Sequence, residues 1–283
     1  MGPVSLDVTL AGLAELPRPG EERFGTELVF SPGAFGTIAV GAARLGLKAA
    51  VAAPRPRDLA GSYIASVLED EGIDWLGEDI DRAIVTVVFP LAAERAMATY
   101  EPAGASRPPP AGMSANAFVL GPGDVARVPD EARAYVMTGS LDDRPQVERP
   151  SEALRRARAL FANESEAARL TGASSTEDAV RELATPVGTV VVTRRAAGAV
   201  ACESGELVHV PAPAFEVRDT TGAGDLFAAA YVWADLRDLP LEERLRWAVL
   251  YASLSVRTVG AVPGAAMLDE LLEAGRRYGL SAA

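Results

Sequence analysis

Apolar and polar positions alternate along the first residues, break at Leu16-Pro17-Arg18-Pro19-Gly20 and resume at Thr26-Glu27-Leu28-Val29-Phe30. That pattern predicts two strands around a proline turn. An alanine-rich run through Leu45, closed by Gly46, predicts a helix with a glycine C-cap. Ala49–Ala53, the loop Pro54–Asp58 and a helix from Gly61 to Glu71 form one βα unit. Two β-rich runs, Ala83–Phe89 and Ala96–Tyr100, flank Pro90–Arg95, and the odd and even positions of the first are both largely apolar. Pro102–Pro110 is a proline-rich loop, Ala134–Thr138 and Thr189–Thr193 are strands, and residues 206–218 read as strands around Val210-Pro211-Ala212-Pro213. The apolar run Leu226–Ala234 is a helix, Leu241–Val259 an amphipathic one, and residues 266–277 a last one with Met267, Leu268, Leu271 and Leu272 on one face. Strands alternating with helices imply a parallel sheet covered on both faces.

Composition narrows the chemistry. A chain of 283 residues, 49% hydrophobic and 6% aromatic, has enough apolar material for a full α/β core. Its apolar runs fall short of the roughly 18 residues that span a bilayer, and Met1–Asp7 lacks a basic region, so no membrane role and a cytoplasmic location are expected. A lone Cys202 and a lone His209 exclude a disulfide framework, a Cys/His zinc cluster and a haem attachment site. Lys48, the one lysine, is followed by Ala49, which excludes a Gly-Lys-Ser/Thr phosphate loop. Phosphate chemistry would therefore rest on backbone amides, arginine and metal. The net charge of −12 argues against a nucleic-acid partner.

The stretch that offers such chemistry is Asp219-Thr220-Thr221-Gly222-Ala223-Gly224-Asp225, directly before the Leu226–Ala234 helix. A helix N-terminus presents unpaired N–H groups backed by the macrodipole, and glycines let a ligand approach the backbone. Asp225 falls in the first turn, beside any anion held there, where it could accept the proton of an attacking hydroxyl. From the residues alone a second reading stands level with this one. In it Asp219 caps the helix and Asp225 only complements the dipole.

The run DTTGAGD ahead of a small-residue and aromatic helix resembles the signature of the pfkB family of carbohydrate kinases. The resemblance implies a ribokinase-like three-layer α/β/α fold with a mainly parallel central sheet and a small β-sheet lid. The whole of 1–283 would be one kinase domain, with lid strands within 8–32 and 82–101. It implies that the amides of Gly222, Ala223 and Gly224 form an anion hole and that Asp225 is the catalytic base. Asp7, Gly33 and Thr37 occupy the positions that hold sugar hydroxyls, ahead of Ala43-Arg44-Leu45-Gly46. Pro32 and Thr37 depart from the family's glycine and asparagine there, and Thr37 taken alone reads as an N-cap.

Asn163 and Glu166 form a capping box by spacing, and the resemblance makes them organisers of magnesium and its waters. Thr193 and Gly198 stand where the family meets the ATP phosphates, with Arg195 in place of a glycine, while Ala252, Ser253 and Gly260 would line the adenine pocket. Val249 takes the place of the family's asparagine. Asp219 and Thr221 would contribute oxygens to a potassium site. The segment 139–162 is shorter than the family's by about one βα unit, since such a unit takes roughly 30 residues.

The expected activity is ATP- and magnesium-dependent phosphorylation of a primary hydroxyl on a sugar or nucleoside. The alternative is a ribokinase-like protein that binds sugar or nucleotide with little or no turnover. The apolar lid strands imply a homodimer formed lid to lid.

Overall fold

The computed structural model describes residues 1–91, 95–105, 112–139 and 152–281. The chain divides into two compact units: the first is Gly2–Pro110 with Ala214–Trp233 and Leu250–Ala283, the second Met1 with Ala111–Pro213 and Ala234–Val249.

The first unit opens with β1 (Val4–Ala11), β2 (Glu27–Ala34), α1 (Phe35–Arg44), β3 (Ala50–Ala52), β4 (Arg55–Pro56) and α2 (Leu59–Asp70). It continues with β5 (Asp74–Leu76), β6 (Asp79–Ile80), β7 (Ile84–Pro90) and β8 (Arg95–Tyr100). A four-stranded sheet has the order β2-β1-β7-β8. In it β1 runs antiparallel to β2 and parallel to β7, and β7 runs antiparallel to β8. Because side chains alternate, the register that sets Asp7 beside Ser31 and Thr86, and Thr86 beside Thr99, fixes one polar face; Gly33 and Arg95 share it. Val8, Leu10, Phe30, Val87 and Tyr100 share the other. The sheet is thus apolar on one face and not on both: β1 and β2 bring polar residues to the face that Thr86 occupies.

Strand β2 runs on past Phe30, where the strand read from the sequence stops, through Pro32 and Gly33, because each residue from Glu27 to Ala34 has a partner on β1. Val4, Leu6, Ala39, Val40, Ile64 and Leu68 build the adjoining core. Arg44 ties it together, pairing with Glu71 and donating to the carbonyls of Val262 and Ala265 at 2.7 Å. Asp58 caps α2 by accepting from Gly61 N at 2.9 Å, and Arg55 and Arg57 both pair with Asp79.

In the second unit lie β9 (Ala117–Leu120), β10 (Arg133–Met137), β11 (Ala157–Asn163), α3 (Glu164–Thr171), α4 (Thr176–Ala184), β12 (Thr189–Thr193), β13 (Ala199–Glu203) and β14 (Glu206–Val210). They form a six-stranded sheet of order β14-β13-β12-β11-β10-β9. The strands from β9 to β12 are parallel, and β13 and β14 add as an antiparallel edge. Val190, Val191 and Val192 are all buried, the continuous apolar run of a strand covered on both faces. Strands β10 and β11 are direct neighbours, Val136 beside Leu160. Of the segment read as shortened, residues 140–151 lie outside the described residues, as do 106–110 of the proline-rich loop.

The chain then forms α5 (Ala223–Asp235), α6 (Leu241–Ser255), α7 (Ala261–Gly264) and α8 (Leu268–Arg277). Helix α6 ends four residues before the expected Val259 and is buried nearly all round, with only Glu242 fully exposed, where an amphipathic helix was expected. The reason is Arg244, 3% exposed, whose charge is neutralised inside the protein. Among the described residues no helix is long and apolar enough to cross a membrane.

Arg244 belongs to a buried ionic network of the second unit. Asp235, 1% exposed, accepts from Arg158 at 2.7 Å, Arg244 at 2.8 Å and the Tyr135 hydroxyl at 2.5 Å. Glu203 accepts from Arg244 at 2.8 Å and Thr189 at 2.7 Å. Burial alone would raise the Asp235 pKa, but the donors Arg158 and Tyr135 and the charges of Arg158 and Arg244 hold it below the usual value. A carboxylate depressed in this way stabilises the fold above its unfolded pKa, near 4, and loses that contribution as pH falls. We predict that Asp235→Ala lowers stability in urea at neutral pH by about 3 kcal/mol, because Arg158 and Arg244 lose the buried carboxylate they share and keep only the partly exposed Glu203 as a described counter-charge, and that the gap to wild type narrows as pH falls below about 4.

Candidate active site

The turn between Arg218 and α5 is built around one carboxylate. Asp219, 3% exposed, accepts from the N–H of Thr221 at 2.8 Å and its hydroxyl at 2.6 Å through Oδ1, and from Gly260 N at 2.8 Å through Oδ2. These bonds close the turn on itself and lash it to the N-terminus of α7. Asp219 therefore braces the loop, and does not reach forward to cap α5. Gly222 has φ +73°, and a Cβ there would stand 2.3 Å from the Cβ of Ala261 and 3.2 Å from the methyl of Thr37. Only glycine suits it on both counts. Gly260, φ +87°, is held equally closely, its Cβ direction ending 2.6 Å from Val29. Gly224 differs, since a Cβ there would meet nothing within 4 Å, so the backbone at the start of α5 faces open space. Asp225, half-buried, is the third residue of the helix. The N–H of Ala223 lies 3.3 Å from the Thr220 carbonyl.

The polar face of the four-stranded sheet adds a second carboxylate. Asp7 accepts from the Ser5 hydroxyl at 2.7 Å, and a Cβ on Gly33 would collide with its Oδ1 at 2.2 Å. Glycine at 33 thus makes room for the Asp7 side chain. Burial pushes the Asp7 pKa up to about 6; Ser5 and Arg95 pull it down, and the negative charge of Asp219 raises it further. Thr37 is fully buried and its hydroxyl donates to the Pro32 carbonyl at 2.8 Å, so it fastens the strand-to-helix turn from inside α1. Ala34 takes the N-cap position. Two further residues of this unit join the site. Arg95 donates from Nη1 to the Thr220 carbonyl at 2.9 Å. Ser31 Oγ is buried without a hydrogen-bond partner among the described residues.

Within the second unit Asn163 ends β11 and caps α3, accepting from Glu166 N at 2.8 Å while Glu166 accepts from Asn163 N at 2.9 Å. The capping box read from spacing is present, and the Thr138 hydroxyl adds a third tie to the Glu166 carboxylate. Thr193 ends β12. Arg195, exposed, has φ +50°, a backbone conformation that disfavours any side chain, while Gly198, φ +87°, has no room for one, with Val210 O 2.0 Å from its Cβ direction. In the first unit Ala252 is half-buried and Ser253 buried on α6. Among the described residues no three His, Cys, Asp or Glu side chains gather as a metal cage. An oxygen set of one carboxylate and one amide suits magnesium that keeps waters and phosphate oxygens as its other ligands.

A braced glycine turn opening a helix, a carboxylate in its first turn and a polar sheet face carrying a second carboxylate define a phosphotransferase of the sugar-kinase class. Residues 127–266 match the model of the pfkB family carbohydrate kinases. Over 92% of this chain and 90% of the other, the sequence is 27% identical to 5-dehydro-2-deoxygluconokinase of Bacillus velezensis. The ribokinase of Thermotoga maritima superposes with a TM-score of 0.77 at 18% identity over 97% of each chain. The Arabidopsis thaliana ribokinase solved with ribose and ATP gives 0.75 at 23% identity over 96% of each. Residues 127–266 thus carry the pattern of the pfkB family carbohydrate kinases, and the chain has the ribokinase-like α/β fold, with its mainly parallel sheet.

A carboxyl whose folded pKa is raised favours the protonated fold, so its stabilising contribution is present below the unfolded value and lost as pH rises through about 6. Asp7→Asn, neutral at every pH, should therefore match wild type near pH 4, melt progressively above it as pH rises from about 4 to about 6, and keep that lead at higher pH. Thermal unfolding across that range measures this; a variant melting below wild type at pH 8 would contradict the burial argument.

Proposed function

We propose that this protein transfers the terminal phosphoryl group of ATP to a primary hydroxyl of a sugar or sugar-containing small molecule. The observation that carries the reading is the turn Asp219–Asp225, held shut by Asp219 with Asp225 in the first turn of α5. The acceptor hydroxyl attacks the phosphorus, its proton passes to Asp225, the new O–P bond forms and ADP leaves. The N–H groups of Gly222, Ala223 and Gly224, with the helix dipole behind them, stabilise charge on the equatorial oxygens. Asp7 accepts hydrogen bonds from acceptor hydroxyls, and Gly33 keeps its carboxylate accessible; Thr37 supports the pocket from behind.

Magnesium would neutralise charge on the nucleotide phosphates, and Asn163 with Glu166 would orient its waters, their positions fixed by the reciprocal cap and Thr138. Thr193 and Gly198 are assigned to the phosphates, and Ala252, Ser253 and Gly260 to the adenine. For potassium, Asp219 and Thr221 would supply backbone oxygens, the Asp219 carboxylate being engaged in the brace. The names of relatives support an acceptor of this kind: one is a 5-dehydro-2-deoxygluconokinase, and another was solved with ribose and ATP.

Asp225→Asn should lower kcat by about 100- to 10,000-fold while calorimetry still finds acceptor and nucleotide binding. Turnover equal to wild type would remove Asp225 as base. The second reading, a binding protein with little turnover, draws on Arg195, an arginine whose backbone takes a glycine-like conformation between Thr193 and Gly198. Absence of ADP production with every sugar, sugar acid and nucleoside tried would favour it.

The apolar face of the four-stranded sheet leaves Leu28, Phe30 and Tyr100 exposed. A second copy laid face to face would cover them, so the active form is proposed to be a homodimer. Light scattering over a concentration series should give twice the monomer mass, and Val87→Asp, which places a charge in that face, should shift it toward monomer.

A further inference from the structure

Resting on the kinase reading, we propose that Ser31 is a specificity-determining residue: the acceptor brings two neighbouring hydroxyls to the polar sheet face, one donating to Asp7 and the next bonded to Ser31. Ser31 lies on β2 directly opposite Asp7 and shares its face. It is 1% exposed, and its Oγ has no hydrogen-bond partner among the described residues. A hydroxyl in that state has given up its bonds to water without replacement, which calls for a ligand or a trapped water. Its surroundings disfavour the water. The point that a Cβ on Gly260 would occupy lies 3.4 Å from Ser31 Oγ, 3.4 Å from Pro263 Cδ and 2.6 Å from Val29 Cγ1, so the hydroxyl borders apolar carbon there. A trapped water needs roughly two to four polar partners, and this border supplies none. With no bond to fix χ1, the hydroxyl is free to turn among its staggered positions.

Asp7 supplies the other half of the site. Its carboxylate fills the space beside Gly33, where a Cβ would collide with both oxygens. Oδ1 accepts from Ser5, and above about pH 6 the ionised group can only accept. Positions 31 and 33 are two residues apart on one strand, a spacing of about 6–7 Å. Two hydrogen bonds meeting at one hydroxyl reach about 5.5 Å, short of that spacing, whereas two hydroxyls on adjacent carbons add a further length and cover it. A keto group cannot donate to Asp7, and a methylene bonds to neither residue. The acceptor class is therefore a sugar or sugar acid with a vicinal diol, and a sugar deoxygenated at either of those two carbons is discriminated against.

The test compares wild type and Ser31→Ala by ADP release with ribose, fructose, glucose and gluconate, and with the monodeoxy forms of each. In wild type, loss of the hydroxyl that meets Ser31 should lower kcat/KM by about 5- to 10-fold. Ser31→Ala should impose a similar loss on the parent sugar and none on that deoxy analogue, because the bond is already absent. Without ligand, the variant should melt at or above the temperature of wild type, since an unpartnered buried hydroxyl has been removed. A loss shared equally by parent and deoxy sugars, no loss at all, or equal use of every deoxy form by wild type overturns the proposal while the kinase reading stands. So does a ligand-free variant that melts below wild type, because the hydroxyl would then be serving the fold. Should none of these acceptors be turned over, the kinase reading fails on its own, and calorimetric titration of the same sugars still decides on Ser31. Binding of a parent sugar that weakens in Ser31→Ala, with its deoxy analogue unaffected, supports the proposal; equal or absent binding overturns it.

Discussion

The active-site end of this protein depends on the Asp219 carboxylate and the three donors it accepts. A turn with Gly222 at φ +73° has little intrinsic stability, because glycine loses the most backbone freedom on ordering. Two of the three bonds come from Thr221 and fix the turn locally; the third comes from Gly260, far along the chain, and fixes it to α7. The direction in which α5 sets out, and with it the position of Asp225 in the first turn, follows from that anchoring. Gly222 and Gly260 then read as steric necessities, each packed so closely that a methyl group would push Ala261 or Val29 aside.

Much of this was legible in the sequence and some was not, for identifiable reasons. The glycine turn and its helix were visible because Gly222 and Gly224 precede an unbroken apolar run, and the cap of α3 was visible because Asn163 and Glu166 have capping-box spacing. Of the four parallel strands, β10 and β12 were visible, as Ala134–Thr138 and the valine run Thr189–Thr193, whereas β9 (Ala117–Leu120) and β11 (Ala157–Asn163) were not read. The role of Asp219 could not be separated from capping, since its third partner, Gly260, is remote in sequence. Thr37 looked like a ligand or a cap by position, but its hydroxyl bonds back to Pro32, a choice made by the way β2 runs on into α1. Arg95 was passed over because only strand register places it on the face of Asp7: β8 pairs with β7, and β7 with β1. The burial of α6 was missed for a related reason, in that Glu203 and Asp235, which neutralise Arg244, come from other elements.

Two buried acidic residues, Asp219 and Asp235, and the half-buried Asp7 differ in how fully the protein satisfies them. Asp219 and Asp235 each accept several short bonds from the protein, and each removal would strand those donors inside the fold. Asp7 is different. The hydrogen bond it accepts comes from the hydroxyl of Ser5, a neutral donor, and burial has raised its pKa to about 6, the mark of a carboxylate solvated less well than in water.

A carboxylate kept in that condition has unused acceptor capacity and a standing cost, and the fold goes to some length to keep it so. Residue 33 is a glycine, where any larger side chain would occupy the space of the Asp7 oxygens, and Ser31, paired with Asp7, offers a hydroxyl equally short of partners. Both deficits lie on one sheet face, and both are of the kind that hydroxyl groups of a sugar relieve, donating to the carboxylate and accepting from or donating to the serine. Protein donors could have met them, as they do at Asp219 within the same unit. That they are left to be met from outside is the physical argument for reading this face as the acceptor site, and it holds whichever sugar is bound.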